Sequence, residues 1–158
     1  MFLLSIALWF VVVYSFRVAV FGNPLYRHVL EADRDFLAKL DKLTQNNRYE
    51  LTQLEVAFLQ RFSRLAILEL AMLIFEAGLL VYLWMSGTMA WLCLGLLSKN
   101  LLLLAFSAAI ARSRPRESLF DSLLGLPSWL MWIDRTSAMF SAIGAFFLFL
   151  VVNDINPF

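Results

Sequence analysis

The sequence predicts an all-α integral membrane protein with four transmembrane helices and a cytoplasmic helical hairpin between the first and second spans. Hydrophobic residues make up 61% of the 158-residue chain and charged residues 16%, whereas soluble globular chains average about 45–50% and about 25%. The charges are also separated from long apolar runs, as in a chain folded partly in lipid. We therefore expect 1–158 to form a single membrane domain.

Four segments are long and apolar enough to cross a bilayer, which takes about 20 helical residues. We place the spans at about 2–21, 64–85, 89–111 and 128–152. The first resembles the apolar core of a signal peptide. Because no basic residue precedes it and no small-residue cleavage site follows it, we expect it to be retained as a helix.

The loop charges indicate one orientation of these spans. Lys and Arg outside the spans lie in two segments, about 22–63 and 112–127, while the connection "MSGTMA" between the second and third spans has no charge. The positive-inside rule therefore predicts that both charged loops are cytoplasmic and that both termini lie outside. A bacterial inner (plasma) membrane is the default location. The alternative is an organelle membrane in which these loops face the matrix or the cytosol.

The first charged loop is predicted to be a helical hairpin over about 24–62. Asn23 is a predicted N-cap and Pro24 suits the first helical position, so one arm covers 24–43. Asn47 and Glu50 have the spacing of a capping box, and a second arm over 48–62 continues into the second span. The two arms either pack only on each other or also dock a cytoplasmic partner protein.

The second charged loop contains three arginines beside the membrane, Arg112, Arg114 and Arg116. Arginines at this position attract anionic lipid headgroups, at about 1 kcal/mol each. They also satisfy the topology rule with no further role, which is the reading that we favour.

Two opposite charges are predicted to meet inside the membrane. Trp84 and Trp91 flank the uncharged turn, as expected at a headgroup boundary. Glu76 lies eight residues before Trp84, and Lys99 lies eight residues after Trp91. An antiparallel fold-back therefore places the carboxylate at the depth of the ammonium, and pairing offsets a cost of about 2.5–3.5 kcal/mol for each lone charge.

A second polar layer is expected nearer the cytoplasm. The second and fourth spans enter the membrane from the same side, which places Glu69, Asp134 and Arg135 at similar depths. Arg17 of the first span either joins them or extends outward to the interface. The spans then contain three basic and three acidic residues. This balance favours structural pairing, within the chain or between chains, over the two alternatives of a transport pathway and a headgroup site.

The fourth span has small residues on one face, at Ser137, Ser141, Gly144 and Ala145. Small residues at this spacing permit close approach of another membrane helix, from this chain or a neighbour.

No catalytic motif, cofactor site or metal site is predicted. The single cysteine, Cys93, excludes an internal disulfide, and the single histidine, His28, excludes bis-His haem ligation and the usual zinc sets. A net charge of +1 gives no case for a nucleic-acid partner.

These observations favour a non-catalytic membrane subunit or an accessory or assembly protein of a larger membrane complex. Its expected partners are the lipid bilayer, other membrane subunits and a cytoplasmic partner at the 24–62 hairpin. The alternative is a small homo-oligomeric transporter or channel, coupled to ions or protons through Glu76.

Overall fold

The structure is a computed structural model that describes residues 2–32, 36–37, 52–113 and 128–155. The prediction of an all-helical chain is confirmed for these ranges, which contain no β-strand. The main helices are α1 (Phe2–Phe21), α2 (Pro24–Leu30), α3 (Gln53–Met85), α4 (Ala90–Ser113) and α5 (Ser128–Val152).

Three helical stretches in the described ranges are long and apolar enough to cross a membrane. They are Phe2–Leu30, Gln53–Met85 and Met131–Val152, and the apolar part of α4, Ala90–Phe106, is shorter. These stretches fit a membrane protein. The fourth span stays a prediction.

The helices α1 and α5 form the most extensive helix pair and run antiparallel. Ser5 Oγ donates to Asn153 Oδ1 at 3.0 Å at one end of the pair. At the other end the guanidinium of Arg135 packs against Gly22. The buried residues of α1 recur every three or four positions, at Ser5, Leu8, Val11, Ser15 and Val18. This narrow seam is what a helix buries against one close neighbour.

The helices α3 and α4 complete an up-and-down bundle. Tyr14 contacts Glu69, and the Phe10 ring contacts the Phe75 ring one turn further from Gly22, so α3 runs antiparallel to α1. A short turn over 86–89 reverses the chain into α4, and Gly87 adopts a φ of +76° there. Because α4 in turn pairs with α5 through Lys99, each helix lies beside antiparallel neighbours, as in a four-helix bundle.

The bundle has an apolar half and a polar half. The end that contains the 86–89 turn is called the turn end, and the opposite end, which contains Gly22 and α2, is called the hairpin end. The buried core of the turn half draws on all four long helices and comprises Leu8, Val11, Leu80, Leu83, Cys93, Leu96, Ala145 and Leu148. Ser5 is a buried polar residue at the turn end, where it bonds to Asn153, and the ionisable side chains of the bundle interior lie on the hairpin side of this core.

The predicted N-cap and first helical residue after the first apolar helix are present at α2. Asn23 Oδ1 accepts a hydrogen bond from the Leu25 backbone N–H at 2.9 Å, and Pro24 is the first helical residue. The first arm was expected to reach residue 43, but α2 ends at Leu30 and a turn follows at 31–32. Apart from 36–37, the rest of that arm lies outside the described residues.

The described residues of the predicted second arm and those of the predicted second span form one helix of 33 residues, α3. Its described start is Gln53, where the Thr52 backbone N–H donates to Glu55 Oε2 at 2.7 Å. Glu55 thus supplies a capping box of the expected kind. The predicted box at Asn47 and Glu50 lies outside the described residues.

The described parts of the hairpin pack together. Val29 and Leu37 are 2% and 1% exposed and lie against aromatic residues that include Phe58 of α3. The His28 ring stacks on Phe58 with centroids 4.5 Å apart. Of the predicted basic loop, Arg112 lies in the last turn of α4, and Arg114 and Arg116 lie outside the described residues.

Candidate polar site inside the helix bundle

A cavity of about 120 Å³ lies among α1, α3, α4 and α5, next to the apolar core. It is called the central cavity. Its ionisable lining residues are Tyr14, Glu69, Glu76, Lys99 and Asp134. A cavity with such a lining is suited to holding water, because each water molecule needs two to four polar partners.

The Lys99 ammonium is held by α5. Its Nζ donates to Ser141 Oγ at 2.6 Å, to Ser137 Oγ at 2.9 Å and to the Ser137 carbonyl oxygen at 3.1 Å. An ammonium has three N–H donors, so these acceptors satisfy all of them. The predicted small-residue face of α5 therefore also supplies the polar groups that hold this charge.

Glu76 reaches Lys99 through a serine. Ser141 Oγ donates to Glu76 Oε1 at 2.8 Å while accepting from Lys99. We call Lys99, Ser141 and Glu76 the relay. The two charged groups were expected to pair directly, but among the described residues the ion pair within 4.0 Å is Arg27 with Glu31. The reason is that the Ser141 hydroxyl of α5 bridges the two charged groups, accepting from one and donating to the other.

The second polar layer joins α1, α3 and α5. The Tyr14 hydroxyl donates to Glu69 Oε1 at 2.8 Å. Asn23 lines the central cavity together with Glu69 and Asp134. One residue therefore caps α2 and also faces a cavity that contains carboxylates from two different helices.

The two arginines of the spans lie outside the central cavity. Arg17 is exposed on α1, and Arg135 packs on Gly22 and lines a different cavity. Neither forms an ion pair with a residue in the described ranges. Acidic and basic residues are therefore equal in number over the predicted spans but unequal at the central cavity, which is lined by three carboxylates and one ammonium.

Three residues that line this site had no such role in the sequence interpretation, namely Tyr14, Asn23 and Asn100. The side-chain nitrogen of Asn100 is buried beside the central cavity and has no hydrogen-bond partner among the described residues. A polar residue in an apolar span is itself a signal of function or pairing. Asn100 carried that signal, whereas Tyr14 required knowledge of how α1 and α3 align.

The small face of α5 packs within this chain. Ser137, Ser141 and Ala145 are 7%, 3% and 3% exposed. A Cβ on Gly144 would lie 2.8 Å from Leu96 Cδ1 of α4, so glycine permits this approach. The structure thus gives these residues partners inside the bundle.

The single cysteine and the charged residues outside the central cavity have contacts that fit structural roles. Cys93 is buried, and its Sγ donates to the Thr88 carbonyl oxygen at 3.4 Å. Outside the spans, a hydrogen bond from the Arg27 guanidinium lowers the pKa of Glu31. Within the described ranges no group of three or more His, Cys, Asp or Glu residues is arranged to hold a metal ion.

The chain matches no protein-family model, no curated protein and no solved structure. Inferences about its function therefore rest on its own residues.

Proposed function

We propose that this protein is a non-catalytic integral membrane subunit, or an accessory or assembly protein, of a larger membrane complex. The observation that supports this most directly is the relay. Glu76, the most central carboxylate of the spans, is held by Ser141, and the ammonium that balances it is satisfied by three acceptors. Charges engaged in this way connect α3, α4 and α5 and suit a structural role.

The proposed topology has four spans with both charged loops in the cytoplasm. The helix α4 has 24 residues, which gives about 36 Å against a hydrocarbon core of about 30 Å. Trp91 is 88% and Trp84 43% exposed at the turn end, as expected of tryptophans at a headgroup boundary. We place the hairpin end on the cytoplasmic side of a bacterial inner membrane.

The outer faces of the bundle support burial in lipid or against other subunits. Large apolar residues of α3 such as Ile67, Leu70 and Ile74 are 65%, 59% and 62% exposed. A contiguous apolar surface of this kind is disfavoured in water and is suited to lipid tails or to another membrane helix.

The test is purification of the tagged chain from its native host in a mild detergent, with the mass and composition of the intact particle measured. Foreign subunits at fixed stoichiometry are the expected result, and crosslinks from the 24–62 hairpin would identify a cytoplasmic partner. A homogeneous oligomer of this chain alone would contradict the proposal.

A second candidate is a homo-oligomeric transporter or channel that uses Glu76. The central cavity favours it, because Glu69 and Asp134 face that cavity without an ion-pair partner in the described ranges. The substitution Glu76→Gln discriminates the two functions. A transporter would lose proton or cation flux in proteoliposomes while its stability stayed unchanged, whereas a structural relay loses stability.

A further inference from the structure

A second cavity lies at the hairpin end of the bundle. It has a volume of about 370 Å³ and is formed by the end of α1, by α2 and by the first turns of α5. We call it the hairpin-end cavity. Its polar lining residues include Asn23, Tyr26, Arg27, Glu31, Asp134 and Arg135. Charged residues of both signs therefore face one space.

Two of the four charged residues that line this cavity form an ion pair with each other. Arg27 Nε donates to Glu31 Oε1 at 2.6 Å. Arg135 has no hydrogen bond or ion pair with any residue in the described ranges, and it does not pair with the adjacent Asp134 within 4.0 Å. A guanidinium and a carboxylate thus face the same cavity separately from each other.

Gly22 shapes the wall beneath the guanidinium. Its φ of +80° ends α1, and a Cβ at this position would lie 3.1 Å from Arg135 Nη2 and 3.3 Å from Nε. The planar guanidinium therefore lies against bare backbone. A side chain here would displace the guanidinium and also strain the turn.

The depth of the cavity matches the headgroup region of a membrane. Arg135 is level with the end of the first apolar helix, and Trp129 and Trp132 of the same turns of α5 are 45% and 66% exposed. Exposed tryptophans mark the interface between hydrocarbon and water. The inference depends on the membrane placement proposed above, and it does not depend on membership of a complex.

We propose that the hairpin-end cavity binds the headgroup of a phospholipid that carries a primary amine, such as phosphatidylethanolamine. The Arg135 guanidinium binds the phosphate, since its fork of N–H donors matches phosphate oxygens. The Asp134 carboxylate binds the ammonium, which has N–H donors. A choline headgroup has no N–H to donate and therefore loses this hydrogen bond. A glycerol headgroup has only neutral hydroxyl donors and therefore makes a weaker contact than a charged ammonium.

The experiment is native mass spectrometry of the detergent-purified chain with phosphatidylethanolamine, phosphatidylcholine and phosphatidylglycerol of identical acyl chains at equal concentration. We expect phosphatidylethanolamine adducts to exceed each of the others by about tenfold, the effect of one hydrogen bond to a charged group. Arg135→Gln should lower phosphatidylethanolamine binding by about tenfold. Asp134→Asn should instead make the ethanolamine and choline lipids bind equally.

Arg64→Gln is the matched control. Arg64 is an exposed arginine near the hairpin end of α3 and does not line the hairpin-end cavity, so its loss changes net charge equally and should leave lipid adducts unchanged. Circular dichroism checks that each variant is helical. If Arg135→Gln does not fold, Arg135→Lys keeps the charge without the fork and should give an intermediate loss.

Equal or stronger binding of phosphatidylglycerol would overturn the inference, as would an Arg135→Gln variant that binds lipid like Arg64→Gln. Alkaline washing of membranes tests the membrane placement independently of the headgroup site. Release of the chain into the wash would contradict both the membrane placement and the headgroup site. A chain that stays in the membrane and purifies with foreign subunits, but shows no headgroup preference, would contradict this inference alone.

Discussion

The relay makes a quantitative prediction about energetic coupling between two charges. The perturbations are Glu76→Gln, Lys99→Met and the two together. Each single substitution leaves the other charge inside the bundle with no opposite charge in the relay. The double substitution removes both charges and leaves only neutral polar groups.

The magnitude follows from the contacts. A lone charge at the centre of a membrane helix costs about 2.5–3.5 kcal/mol, and the serine contacts retained by the remaining partner lower this to roughly 2 kcal/mol for each single variant. The double variant loses only neutral or compensated hydrogen bonds, at about 0.6 kcal/mol each in membrane proteins. We therefore expect a coupling free energy of about 1.5–2.5 kcal/mol between positions 76 and 99.

The role of Ser141 is tested by repeating the cycle with that serine removed. Ser141→Ala deletes the hydroxyl that bridges both charges, so the coupling should fall by at least half. Ser137→Ala is the control, because Ser137 Oγ accepts from Lys99 but makes no contact with Glu76. The free energy of unfolding is measured by denaturant titration in mixed micelles.

Two results would refute this reasoning. Additive effects of Glu76→Gln and Lys99→Met would show that the two charges do not stabilise each other. Full coupling in the Ser141→Ala background would show that they interact directly, without the serine. Proton flux that depends on Glu76 at unchanged stability would point to the transport function instead.

Further predictions concern packing and helix ends. Gly144→Val should lower the free energy of unfolding by about 1–3 kcal/mol through overpacking, because even a Cβ would meet Leu96 at 2.8 Å. The matched Gly95→Val should change it little, because beyond the neighbouring residues and backbone of its own helix the added Cβ meets nothing within 4 Å. Thr52→Ala should lower the free energy of unfolding by about 1 kcal/mol, because it weakens the capping box that Thr52 forms with Glu55. Denaturant titration measures this loss, and the helix content should stay unchanged. An equal loss for Gln53→Ala would contradict a capping role.

Much of the local structure could be predicted because it depends on neighbours in sequence. Phe2–Phe21 has the predicted limits, since an apolar run ended by Gly22 and by the capping residue Asn23 specifies both its extent and its end. The continuity of α3 was also predicted, since the second arm was expected to run without a break into the second span. These signals lie within a few turns of one helix and need no knowledge of its partners.

The candidate site could be predicted only as far as depth. Counting residues from the turn placed Glu76 level with Lys99, and both line the central cavity. Depth does not give the rotation of each helix, and that rotation decides which side chain stands between them. The sequence shows Ser141 as a small packing residue, and only its hydrogen bonds to Lys99 and Glu76 in the folded bundle reveal it as the link. The position of Arg135 against Gly22 depends on rotation in the same way.

The division of the bundle into two halves bears on how the two candidate functions can be told apart. The central cavity is bounded on the turn side by a core in which Leu83 and Leu148 are fully buried. An ion that crossed the bundle would have to pass this apolar layer, where an unpaired charge costs several kcal/mol. Transport would therefore require the helices to separate at Leu83 and Leu148. A structural relay requires the opposite, because its hydrogen bonds persist only while α3, α4 and α5 stay packed. A crosslink that fixes the turn ends of α3 and α5 should abolish transport and leave a structural function intact.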